Sequence, residues 1–139
     1  MTVEDVVVSS IAEGLCLFVG IEPADDTADV DAAVDKIAGL RVFPDEIGKM
    51  NLAIGDVGGQ ILVVSQFTLL GDVRKGRRPS FVAAASPDHA EPLVAAMAAR
   101  FEEIGITTRT GVFGAAMEVE LVNEGPVTLM LEFSDGRVR

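Results

Sequence analysis

The chain of 139 residues has one cysteine, one histidine, no tryptophan and no tyrosine. A lone cysteine excludes an intrachain disulfide and a cysteine-based zinc cluster. That residue, Cys16, lies in the apolar run LCLFVGI (residues 15–21), where a small core side chain is expected. A lone histidine excludes a two-histidine metal site within one chain, and no metal or cofactor is implied. A Ser-His-Asp triad could draw only on His89, in the segment SPDHAEP that opens a helix, remote in sequence from the candidate nucleophiles. A hydrolase built on this chain must find its general base elsewhere. Long apolar runs are also missing. The run at 15–21 is strand-sized, well short of the ~18 residues that span a bilayer. The N-terminus MTVEDVVVSS has neither a basic leader nor a signal-peptide core. The expectation is a soluble cytoplasmic protein with no membrane partner.

Positive charge is scarce. Eleven Lys and Arg face twenty-two Asp and Glu, a formal net charge of −11, which argues against nonspecific nucleic-acid binding. Yet four of the eleven cations fall in Arg74-Lys75-Gly76-Arg77-Arg78. Such a run is ordinarily a solvated loop. The alternative is a local phosphate-contact patch on an otherwise repelling surface.

The apolar content of 49% supplies a core for one domain spanning residues 1–139. Residues 6–10 and 15–21 read as strands around an Ala12-Glu13-Gly14 turn. Residues 25–40 read as a helix capped by Asp26 or Thr27, with Ala28, Val30, Ala33, Val34 and Ile37 on its apolar face. Residues 40–43, 51–54 and 60–70 read as further strands. Gly55 to Gly59 has no P-loop spacing and reads as a turn. A basic loop covers residues 71–80. Ser86-Pro87 opens a second helix, with Leu93, Ala96, Met97, Phe101 and Ile104 on one face, and Gly105 ends it. Residues 107–110, 116–122 and 127–133 read as strands, and the polar tail from residue 134 is expected to fray. The pattern predicts an α+β fold: a mainly antiparallel or mixed, barrel-like sheet with two helices packed on it.

Two segments carry polar groups where packing does not ask for them. In ILVVSQFTLL (residues 61–70), strand alternation puts Gln66 and Thr68 on one face and Ser65 and Phe67 on the other. A buried amide without partners costs about 1–3 kcal/mol. Either this face meets water, or the strand end lines a pocket. In LVNEGPVTLML, the Asn-Glu-Gly-Pro turn is an ordinary hairpin by local chemistry.

Taken together, SQFTL, RKGRRPSF and TGVFGAAMEVELVNEGPVT resemble the D-aminoacyl-tRNA deacylase family. Lys36-Ile37, Leu40-Arg41-Val42-Phe43 and Gly48-Lys49-Met50-Asn51 extend the resemblance, which runs from about Thr2 to Leu131. A lone SQxxT is weak; SQFTL with NxGPVT at this separation is specific. The resemblance implies a homodimer that hydrolyses the ester of D-aminoacyl-tRNA, clears glycine misloaded on tRNA, and spares L-aminoacyl-tRNA. It implies a catalytic wall of Ser65, Gln66, Phe67 and Thr68. It implies a chiral barrier, with a cis peptide bond, of Gly125 and Pro126 inserted from the partner chain, beside Met117. Arg74, Lys75, Arg77 and Arg78 become candidate contacts to the tRNA acceptor end. Thr68 is a candidate nucleophile, but its hydroxyl is weak without a base. The route implied instead uses the 2′-OH of the terminal ribose, with backbone N–H groups near Gln66 and Phe67 as oxyanion donors. Three departures stand out. The family pattern has a strand of the type MRxVxQRVxxA before the point where this chain starts. Glu124 replaces an Asp, and Leu70-Gly71 replaces Tyr-Ala. A catalytically weakened, tRNA-end-binding dimer and a hydrolase of another small ester are the other readings.

Overall fold

The computed structural model describes residues 1–139. Its centre is a parallel three-stranded sheet in the order β3 (Gly14–Val19), β6 (Gln60–Ser65), β7 (Thr108–Thr110). Parallel neighbours need crossover connections. Helix α1 (Thr27–Gly39) lies within the β3–β6 connection and α2 (Pro87–Glu103) within the β6–β7 connection. The run ILVV in β6 is buried on both faces, which is why it is apolar without alternation. Ile61 and Val63 join the larger core with Val30, Val34 and Ile37 of α1 and Leu93, Met97 and Phe101 of α2. Leu62 and Val64 face the other way and pack with Met1, Met117 and Val119.

Gly14 is a packing requirement. A Cβ there would lie 1.8 Å from the Gln60 carbonyl oxygen, so only glycine lets β3 enter beside β6.

Antiparallel pairs surround the sheet: β1 (Thr2–Val3) with β2 (Val6–Val7), β4 (Phe43–Pro44) with β5 (Met50–Leu52), and β8 (Phe133–Ser134) with β9 (Arg137–Val138). The expected α+β class and two helices are present, in a mixed sheet set. The barrel is not: no sheet closes.

Four local expectations need correction. Residues 6–10 and 15–21 do not form a hairpin, because β2 pairs back to β1 and β3 pairs with β6. The strand expected over 60–70 ends at Ser65 and becomes a 3-10 turn over Phe67–Leu70, so strand alternation does not govern Gln66 and Thr68. Ala28 and Ile104 are exposed rather than packed. The tail does not fray. Asp29 is buried in α1, where it forms a capping box with Asp26. Its carboxylate also accepts the Gly136 N–H at 2.9 Å, and Arg139 pairs with Glu22 at 2.9 Å. A buried carboxylate needs such donors, and the C-terminal hairpin supplies one.

The strands expected at 116–122 and 127–133 are also missing as ladders. Only an isolated bridge, Thr2 with Glu118, is made. Residues 111–120 still alternate half-buried and exposed, the period of a strand. No backbone–backbone hydrogen bond involves residues 119–131. Extended chain becomes a strand only beside a partner, and within one chain this segment has none.

Candidate functional site

The C-terminal end of β6 carries the first motif. Register with β3 persists to Val19 opposite Ser65, and the Gln66 N–H donates to the Val19 carbonyl at 2.8 Å. The chain then tightens into the 3-10 turn. The first N–H groups of such a turn, on Phe67 and Thr68, have no partner inside it. Both residues are exposed, while Ser65 and Gln66 are half-buried. Gln66 Nε2 donates to Thr68 Oγ1, so the turn rather than a shared strand face brings these side chains together. Neither an acid nor a base side chain hydrogen-bonds Thr68.

Phe67 meets Phe81 edge to face, with ring centroids 5.1 Å apart. This contact closes the base of the basic loop. Asp72 and Ser80 exchange backbone hydrogen bonds at 2.7 and 2.9 Å across the neck of the loop. Within the loop, the Asp72 carboxylate accepts from the Arg74 guanidinium at 2.7 and 2.9 Å and from the Arg74 N–H at 3.0 Å. These bonds hold the Asp72 carboxyl below its ordinary range and raise the Arg74 guanidinium. Arg74 is thus already paired. Lys75, Arg77 and Arg78 are exposed and form no ion pair. Phe81 and Asp72 were not singled out from sequence, although Phe81 closes the quoted run RKGRRPSF.

The second motif sits on an exposed loop. The Gly125–Pro126 bond is cis, and Gly125 has φ +118°. Asn123 Nδ2 donates to Thr128 Oγ1 at 2.9 Å, a clamp across the loop that explains the NxGPVT spacing. No hydrogen bond links Gly125–Pro126 to Ser65–Thr68 within the chain. Met117 packs against the Leu62 and Val64 face of β6. Around the loop, Val122 is 93% and Met130 83% exposed, with Leu121 and Leu129 also open to solvent.

A family model described as D-Tyr-tRNA(Tyr) deacylase matches residues 1–132. The chain belongs to the D-Tyr-tRNA(Tyr) deacylase family. A D-aminoacyl-tRNA deacylase of Geobacillus sp. (strain WCH70) is 57% identical over 132 residues, covering 95% of this chain and 87% of that protein. One from Thermomicrobium roseum is 53% identical over 137 residues, covering 99% and 89%. Among solved structures, a chain named c-Myc DNA Unwinding Element Binding Protein superposes with a TM-score of 0.89 at 37% identity, covering 96% of this chain and 91% of its own. No helix is long and apolar enough to cross a membrane.

Proposed function

We propose that this member of the deacylase family hydrolyses the ester joining a D-amino acid, or glycine, to the 3′ end of tRNA and spares L-aminoacyl-tRNA. One observation carries the reading: both family motifs are intact in a chain more than 50% identical to D-aminoacyl-tRNA deacylases over nearly its whole length.

In this reading the ester carbonyl lies against the turn after β6. The free N–H groups of Phe67 and Thr68 face the oxygen that becomes negative as water attacks, which is where fixed donors lower the barrier most. The Gln66 N–H is spent on Val19, so in this reading the donors are those of Phe67 and Thr68. The Thr68 hydroxyl accepts from an amide and has no base beside it, so it positions substrate rather than attacking. The vicinal 2′-OH of the terminal ribose orients the water. Ser65 and Gln66 keep the pocket wall polar.

Chirality is enforced by exclusion. Gly125 and Pro126 of a second copy present a backbone wall where an L side chain would project, and glycine, having none, passes. The site therefore requires a homodimer. The support is the exposed apolar run around the loop and the backbone of residues 119–131, which has no backbone partner within one chain. Lys75, Arg77 and Arg78 contact phosphates of the acceptor end, with Arg74 contributing less because Asp72 holds it. The setting is the cytoplasm, where charged tRNA is used. The test is release of labelled D-tyrosine from D-Tyr-tRNA, with the oligomeric state measured on the same sample. Binding of tRNA without release would favour the weakened, tRNA-end-binding dimer instead. Release from simple esters lacking a vicinal hydroxyl would favour the third reading.

A further inference from the structure

A second group of cations lies far from the basic loop in sequence. Lys36, Arg41 and Arg137 line an open groove of about 580 Å³ between the end of α1 and the C-terminal hairpin, together with Asp35, Gly39 and Leu40. Three cations against one carboxylate leave this groove net positive on a chain of net charge −11. None of the three makes an ion pair, a state they share with Lys49 and with Lys75, Arg77 and Arg78 of the basic loop, whereas Arg74, Arg100, Arg109 and Arg139 are paired.

The groove is held in shape from both sides. The Arg41 guanidinium donates to the Asn51 backbone carbonyl at 2.8 Å and to its side-chain oxygen. Arg137 follows Gly136, whose N–H is fixed on the buried Asp29 carboxylate, and Arg139 is anchored on Glu22. Lys36 in the last turn of α1 complements the helix dipole, which accounts for one cation. It does not account for two arginines brought from β9 and from the segment before β4, both left without a carboxylate. Arg41 spends Nε and one Nη on Asn51 and keeps the rest of its guanidinium for a ligand, whereas the Arg137 guanidinium and the Lys36 ammonium make no hydrogen bond; such donors in a groove suit phosphate oxygens.

Helix α1 sets out from the end of the sheet that carries Ser65, and the groove lies at its other end. A helix of 13 residues spans about 20 Å, and the groove is lined by its second half, from Ala32 to Gly39.

We infer that the groove lined by Lys36, Arg41 and Arg137 is a second contact surface for the phosphodiester backbone of RNA, holding the body of the substrate while its 3′ end reaches Ser65–Thr68. This inference rests on tRNA being the substrate.

The experiment measures binding of uncharged tRNA by fluorescence anisotropy between 50 and 200 mM salt. It uses the parent chain, Lys36→Gln/Arg137→Gln, and the charge reversal Lys36→Glu/Arg137→Glu. Thermal unfolding confirms that each variant is folded. Each lost phosphate contact removes about 0.7–0.9 from the slope of log affinity against log salt. Losing two lowers the slope by about 1.5, so the parent's drop in affinity over this fourfold salt range shrinks by about eightfold. The charge reversal weakens binding further. If the parent binds with a steep slope and both variants keep it, the groove inference is overturned while the tRNA reading survives. If inorganic tripolyphosphate binds the groove but the RNA slope is unchanged, the inference is likewise overturned. If the parent binds no tRNA, the functional reading beneath it fails as well.

Discussion

Replacing Gly125 by alanine tests the wall without touching the ester site. Gly125 has φ +118°, a backbone region that side chains rarely adopt. A Cβ there would lie 2.7 Å from Val127 Cγ2 and 3.0 Å from the Val127 nitrogen. Holding a non-glycine residue in such a conformation costs about 1–3 kcal/mol. Within one chain the loop is exposed, so the chain relieves the strain by moving the loop, which withdraws it from the partner's site, rather than by unfolding. The native loop conformer then loses population by about 5–150-fold. If that conformer is the wall, the ratio of D-Tyr-tRNA to L-Tyr-tRNA hydrolysis falls by a comparable factor. Only the part of that cost of about 1–3 kcal/mol that the loop fails to relieve by moving appears as lost stability. The assay is release of labelled tyrosine from both esters beside a thermal melt. An unchanged ratio would refute the assignment of the wall. A collapsed melt would refute the claim that the loop is free to relax.

Phe81→Ala removes the edge-to-face support of Phe67, an interaction worth about 0.5–1.5 kcal/mol beyond its area. The expected result is a drop of roughly 2–10-fold in kcat/KM, felt in kcat because the oxyanion donors shift; an effect on KM alone would contradict this. Gly14→Ala drives a Cβ into the Gln60 carbonyl and should destabilise the fold by more than about 3 kcal/mol in denaturant titration. An unchanged midpoint would mean that β3 can shift without cost. For Asp72 the sign follows from its depressed folded pKa. The order it gives the basic loop is fully present above the unfolded value, near 3.8, and is lost only as pH falls through the lower folded value. Trypsin cleavage within residues 74–78 at neutral pH should therefore be faster in Asp72→Asn than in the parent, and equal rates would show that the ion pair orders nothing.

The helices were legible because their signals are local. Asp26 caps α1, Pro87 opens α2, and buried positions recur at helical spacing on both. Strand existence was legible for β2, β3, β5, β6 and β7 but not for β1, β8 and β9, and pairing was not legible. Residues 15–21 next to 6–10 suggest a hairpin, whereas the true partner of β3 lies at residues 60–65, and nothing local encodes that distance. The run at 116–133 has strand-like sequence and lacks a ladder in one chain, since a strand depends on its neighbour. The motif at 65–68 was visible as polar residues ending an apolar strand. Its geometry was not, because the switch from strand to 3-10 turn after Ser65 depends on tertiary contacts such as Phe67 with Phe81. Buried Asp29 could not be foreseen either, for its partner Gly136 stands 107 residues away.

The most direct test of the account is the rate of amino-acid release from D-Tyr-tRNA, L-Tyr-tRNA and Gly-tRNA, measured side by side with the 139-residue chain. The account predicts release of D-tyrosine and glycine and retention of L-tyrosine. Equal release of D- and L-tyrosine, or release of none, would contradict it.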